Sequence, residues 1–90
     1  MAPRGRMRVR GRRREPPTAE LRNHLKQHRA RLNLTQEDLG RAVGVRRQTI
    51  LAIEKGHYVP SALLAFLLAR EMGMRVDELF ELEGAEEEGP

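Results

Sequence analysis

The sequence predicts an all-α fold of five short helices, with a helix-turn-helix at its centre. Three observations lead there. Apolar residues recur at spacings of three and four, as on one face of a helix. Helix-stopping residues (Asn33, Gly44, Gly56, Gly73) stand between these periodic stretches. Runs of alternating β-branched residues, the usual sign of strands, are nearly lacking.

The first helix is predicted over residues 19–32, with Thr18 as its N-cap after Pro16-Pro17. Leu21, Leu25, His28 and Leu32 form its apolar face, and Asn33 suits the left-handed geometry that closes it. The second covers residues 36–43. Thr35 caps it, Asp38 completes a capping box, and Leu39, Ala42 and Val43 are its apolar side. Gly44 then turns the chain sharply, since glycine reaches positive φ without penalty. The third helix spans residues 47–55, with Ile50 and Ile53 inward and Gly56 as its stop. The fourth is predicted over residues 60–72, with Pro60 at its first position. Ala62, Ala65, Leu68, Ala69 and Met72 suit its core face. The fifth covers residues 76–82, with Val76, Leu79 and Phe80 apolar.

Charge divides the 90 residues further. Residues 1–14 hold seven arginines (Arg4, Arg6, Arg8, Arg10, Arg12, Arg13, Arg14) and no acid. Residues 77–90 hold seven acids and no base. The reading is an Arg-rich disordered arm over 1–17, a helix-turn-helix domain over 18–82, and an acidic flexible tail over 83–90. A basic arm points first to nucleic acid, along phosphates or in the minor groove. There is no cysteine, so disulfides and thiolate metal sites are excluded. The longest apolar run, residues 62–69, is far short of the roughly 20 a membrane span needs. A soluble, cytoplasmic protein with no membrane partner is expected.

The informative block is TQEDLGRAVGVRRQTILAIEKG, residues 35–56. Two short helices flank a glycine turn, and the second is apolar on one side only. Its other side offers Arg47, Gln48 and Leu51, preceded by Arg46. Such a helix can enter the DNA major groove. Arginine matches guanine O6 and N7, and glutamine matches adenine N6 and N7.

The chain resembles the phage-repressor helix-turn-helix family, also called the XRE or Cro/repressor type, and its short bacterial and archaeal members in particular. The match runs over about residues 23–82. It rests on Leu25, Arg29, Leu34-Thr35-Gln36, Leu39, Ala42, Val43-Gly44-Val45, Gln48-Thr49-Ile50, Ile53-Glu54-Lys55-Gly56, Tyr58, Pro60, Leu64-Ala65, Ala69, Gly73 and Asp77-Glu78-Leu79-Phe80. The resemblance implies a five-helix repressor-like domain binding double-stranded DNA. It implies phosphate contacts by Gln36, Lys55 and the Tyr58 loop, and base or phosphate contacts by Arg46, Arg47 and Gln48. It also implies a structural bridge between Arg29 and Glu54. Arg46 departs from the family's usual Ser or Thr cap, and Val59 and Arg75 likewise replace usual capping residues. Ala52 replaces a common Lys or Arg, leaving it, like Leu51, free to touch a thymine methyl.

Leu63 and Leu67 fall on the outer face of the fourth helix. With Phe80 and Leu82 they suggest a homodimer surface, which would set two recognition helices about one DNA turn apart on a palindromic operator. Other readings carry less. His24 and His28 are one helical turn apart but lack a third metal ligand. Ser61 is the only serine, no phosphate-binding glycine loop is present, and no catalytic constellation follows. No cofactor or small-molecule ligand is expected. The function expected is sequence-specific transcriptional regulation, most simply repression. The alternative on the same fold is a protein-interaction module, an antitoxin or bridging co-activator.

Overall fold

A computed structural model describes residues 19–84. The order is β1 (Glu20–Asn23), α1 (Leu25–Arg31), α2 (Gln36–Val43), α3 (Arg47–Glu54), α4 (Ala62–Met72), α5 (Val76–Leu79) and β2 (Phe80–Glu83). The five expected helices are present, and a two-stranded sheet joins them.

That sheet corrects both ends of the domain. β1 and β2 pair antiparallel, with Glu20 opposite Glu83 and Asn23 opposite Phe80. The first expected helix therefore loses its first turn to β1, and the fifth ends three residues early in β2. The cause is an ambiguous pattern. Leu21 and Leu25 are four apart, which fits a helix, but even spacing also fits a strand. Phe80 and Leu82 pose the same choice. The pairing spans the whole domain, so local sequence does not reveal it. The chain consequently enters and leaves the fold at one end of this ribbon.

Asn23 makes the transition from strand to helix. Its Oδ1 accepts the Leu25 N–H at 3.1 Å, and its Nδ2 donates to the Ile53 carbonyl at 2.8 Å. One side chain thus fixes the start of α1 against the end of α3. The His24 N–H donates to the Leu79 carbonyl at 2.9 Å, tying the same corner to α5. The His24 ring holds the Gln27 Oε1 at 3.0 Å and the Glu81 Oε2 at 2.8 Å.

The helix ends follow local chemistry. Thr35 and Asp38 form the expected capping box: Thr35 Oγ1 accepts the Asp38 N–H at 2.9 Å, and Asp38 Oδ2 accepts the Thr35 N–H at 3.0 Å. The backbone and hydroxyl of Thr35 hold the Asp38 carboxyl below its ordinary pKa. Asn33 and Gly44 are left-handed as expected, at φ 60° and 82°. The start of α4 differs. Pro60 lies before the helix, and Ser61 is its cap, its Oγ accepting the Leu64 N–H at 3.1 Å. Val59 is therefore not at a cap position. At Arg75 the backbone N–H donates to Glu78 Oε1 at 2.9 Å, and the guanidinium turns outward to Asp77.

Leu25, Leu39, Ile50, Ile53, Leu64, Leu68, Ala69, Met72, Leu79 and Phe80 form the core. Leu64 stands where Ala62 was expected, and Ala62 is exposed. Phe80, expected on a self-association surface, is only 5 % exposed because β2 folds it inward. Leu63, Phe66 and Leu82 remain open to solvent, and Leu67 is half-buried.

The tightest approach in the fold involves Gly40, inside α2. A Cβ there would lie 2.7 Å from the Val45 carbonyl oxygen. The Val45 N–H also donates to the Gly40 carbonyl at 2.8 Å. This glycine lets α2 sit directly against the turn that launches α3. In an open helix Gly→Ala gains about 1 kcal/mol. Here Gly40→Ala is expected to destabilise by about 1–3 kcal/mol through overpacking. Thermal denaturation should show a fall of about 4 °C or more; an unchanged or higher Tm would show that the crossing relaxes freely.

His24 gives a second expectation. Its partners are both acceptors, and only the imidazolium donates to both. The bond to Glu81, then that to Gln27, holds its pKa above the ordinary 6.5. A raised folded pKa contributes stability that is complete below the unfolded value and lost as pH rises through the folded one. Urea unfolding should therefore show stability falling as pH rises above 6.5 and through the raised folded value, and His24→Gln should flatten that fall. An equal slope in the variant would assign the dependence elsewhere.

Candidate nucleic-acid interface

α3 is held from behind and open in front. Ile50 and Ile53 are buried, while Arg46, Arg47, Gln48 and Lys55 are exposed. Among the described residues these four side chains have no hydrogen-bond or ion-pair partner, whereas Arg22, Arg29, Arg41 and Arg75 each pair with an acid. Leu51 and Ala52 are half-buried at the margin of the same face. Arg46 occupies the N-cap position in extended conformation, φ −82° and ψ 161°, and its side chain makes no cap bond. Such a cap is worth about 1 kcal/mol where Ser or Thr provides it.

The far end of α3 is fixed by a partly enclosed network. Arg29 Nε donates to Glu54 Oε2 at 2.8 Å, and Arg29 Nη2 to Glu54 Oε1 at 3.3 Å. Arg29 Nη1 donates to the Leu34 carbonyl at 3.0 Å. The expected bridge is thus present, its side chains 16 % and 5 % exposed. Gln36 joins it, with Nε2 donating to Glu54 Oε1 at 3.1 Å. The amide expected at a phosphate is therefore oriented by Glu54 from within.

Three hollows border this exposed face of α3. One of about 330 Å³ is lined by Glu37, Arg41, Val45, Arg46 and Arg47. A second, of about 750 Å³, runs from Arg29 and Asn33 past Gln36 to Arg47. The third, of about 430 Å³, is lined by Gln48, Thr49, Ala52, His57 and Tyr58. It forms because the chain after α3 folds back: Gly56 turns at φ 79°, and the His57 N–H donates to the Ala52 carbonyl at 2.9 Å. Lys55 and Tyr58 flank this return, both exposed.

Sequence reasoning missed four contributors. Gly40 and Asn23 position the site without belonging to it. A glycine inside a helix that nothing else requires was the available signal for Gly40. Thr49 and His57 line the third hollow, and only the folding back of the loop reveals them. The His24–His28 pair does not converge: His24 faces Gln27 and Glu81, and His28 Nδ1 accepts from Arg31 at 2.7 Å. Among the described residues no group of three or more His, Cys, Asp or Glu could hold a metal, and no helix is long and apolar enough to cross a membrane. The Arg-rich arm and the acidic end of the tail lie outside the described residues.

Comparison with known proteins matches the same elements. The helix-turn-helix family model covers residues 25–79. An HTH-type transcriptional regulator of Methanocaldococcus jannaschii is 53 % identical over 60 residues, spanning 67 % of this chain and 91 % of that protein. The HTH-type transcriptional regulator YgzD of Bacillus subtilis is 49 % identical over 63 residues, 70 % of this chain and 96 % of its own. The crystal structure of the clp gene regulator ClgR from Corynebacterium glutamicum has the same fold, with a TM-score of 0.58 at 24 % identity, covering 60 % of this chain and 57 % of that one. The half-buried Arg29–Glu54 frame, the exposed face of α3 and these relatives agree, and the chain belongs to the helix-turn-helix regulator family of the XRE, or Cro/repressor, type.

Proposed function

We propose that the protein is a sequence-specific repressor that binds a palindromic operator as a homodimer, with α3 in the major groove. The observation that carries this reading is the set Arg46, Arg47 and Gln48, without partners among the described residues, at the start of a helix whose back is buried. Arginine and glutamine are suited to guanine and adenine edges. Leu51 and Ala52 add apolar contact beside them. Gln36, Lys55 and Tyr58 approach the phosphates on either side and set register, which base contacts then convert into specificity. The seven arginines of residues 1–14 add phosphate attraction. Repression needs only a site that overlaps a promoter, with no cofactor and no ligand. Leu63 and Leu67 on α4 and Leu82 on β2 are the dimer surface. Exposed Phe66 extends it, and Phe80 supports it from the core.

The deciding experiment selects binding sequences from random duplex DNA with the full chain. The expected product is a palindromic consensus, half-sites about one helical turn apart, bound by two chains per duplex. A failure to enrich any sequence would overturn the reading, and one chain per duplex would overturn the dimer. A reporter carrying the selected site between promoter and gene should be silenced by the protein. Arg46→Ser tests the face itself. It restores a cap and should stabilise the fold by about 1 kcal/mol while weakening binding to the selected site about tenfold. Unchanged or tighter binding would remove Arg46 from the interface.

A further inference from the structure

The exposed side of α3 is chemically divided. Its amino-terminal part is cationic, with Arg46 and Arg47 bordering a hollow shared with Arg41 and Glu37. Beside it, the side from Gln48 and Thr49 to Ala52 opens on a recess completed by His57 and Tyr58, which no Lys, Arg, Asp or Glu lines. Ala52 follows Gln48 by four residues and Thr49 by three, so the three side chains are neighbours on the helix surface. The methyl of Ala52 leaves open a space that a longer side chain would fill. The opposite wall is anchored, since the His57 N–H is bonded to the Ala52 carbonyl and the Gly56 N–H to the Ile53 carbonyl at 3.0 Å.

We propose that this recess, between Gln48, Thr49 and Ala52 of α3 and the His57-Tyr58 return, receives the C5-methyl edge of one thymine in each half-site. The inference rests on the reading of α3 as the major-groove helix and names what its Gln48–Thr49–Ala52 side recognises. The alternatives fit the recess less well. Guanine O6 and N7 call for a bidentate cation and cytosine N4 for a carboxylate. Neither lines it. Thymine is the one base that projects an apolar group into the major groove. The Ala52 methyl and Thr49 offer it an apolar floor, and the Tyr58 ring offers a wall. Gln48, at the rim, is placed for an adenine beside that thymine. Arg47 and Ala52 are five residues apart, about 7.5 Å along a helix axis. With α3 along the groove, that is roughly two base-pair steps at ~3.4 Å each. The half-site should therefore carry guanine at the Arg46–Arg47 end and thymine about two steps away.

The test uses the full chain and the operator from random selection. Each thymine is replaced in turn by deoxyuridine, which deletes only the methyl. One thymine per half-site should be sensitive, its replacement weakening binding about fourfold, as expected for one buried methyl group. At the same position, 5-methylcytosine should bind better than cytosine. Ala52→Gln fills the recess and should bind the thymine and uracil operators equally. Tyr58→Ser, on the exposed loop, should reduce the difference between them and serves should Ala52→Gln not fold. If an operator is selected but no thymine is sensitive, or if sensitivity is unchanged in both variants, this inference fails and α3 still reads bases. If no operator is selected, it is the major-groove reading itself that fails.

Discussion

The geometry of the domain depends on the pairing of Arg29 with Glu54. The guanidinium reaches the carboxylate with two N–H groups and the Leu34 carbonyl with a third. It therefore joins α1, the loop before α2 and the last turn of α3 through one planar group. Glu54 uses its remaining capacity on Gln36, the first residue of α2. A partly buried ion pair offers little net stability, because desolvation opposes the attraction. Its contribution is directional. The fork of a guanidinium accepts few arrangements, and those few fix where α3 points relative to α2. Gly40 imposes the matching constraint at the other end, where α2 touches the Val45 carbonyl. With both ends set, the rotation of α3 is set as well, and Ile50 and Ile53 can only face inward.

How much of this was legible in the sequence depends on the distance over which each determinant acts. The bounds of α2 and the start of α3 follow from Thr35, Asp38 and Gly44, which act within one turn of chain and read directly. The exposure of Arg46, Arg47 and Gln48 was also legible, because it is the complement of an apolar face with helical period. The ribbon was not. Glu20 to Asn23 become a strand only because Phe80 to Glu83 lie beside them, about sixty residues later. A pairing of that span has no local signature, and the even spacing of Leu21 and Leu25 suits both outcomes. The fixed φ of Pro60 suits a helix start. Ser61 instead supplies a cap bond, which proline cannot make. In the site, the third hollow was hidden for a similar reason: Thr49 and His57 become neighbours only when Gly56 turns the chain back over Ala52.

The ribbon has a structural consequence beyond its two strands. It folds Phe80 into the core, and Leu21 packs against that core from the paired strand. Paired with Leu21, Leu82 stays largely exposed because it lies past the edge of the core. Two neighbours along one short strand thus have opposite fates, and the difference belongs to the ribbon's reach, not to the residues. His24 stands at the junction, held to Leu79 by its backbone and to Glu81 by its ring. The last strand is thereby anchored where α1 begins, and α1 carries Arg29. The terminal sheet and the site are therefore consecutive links of one frame.

The described residues contain ten Lys and Arg against nine Asp and Glu, so the folded unit is almost neutral. Its attraction for a polyanion therefore comes from arrangement, not from total charge. Pairing contributes to the arrangement: Glu37, Glu54, Asp77 and Glu83 engage Arg41, Arg29, Arg75 and Arg22, while six cations have no acidic partner among the described residues, Lys26, Arg31 and Arg70 elsewhere and Arg46, Arg47 and Lys55 along α3 and its two caps. Half of these free cations line α3, so the near-neutral body gathers most phosphate contacts with that helix toward the DNA. Non-specific affinity scales with the number of such contacts. On the proposed reading, the fold limits what it gains from any DNA and leaves the operator's bases to supply the difference, while the arginines of residues 1–14 raise affinity for all DNA alike.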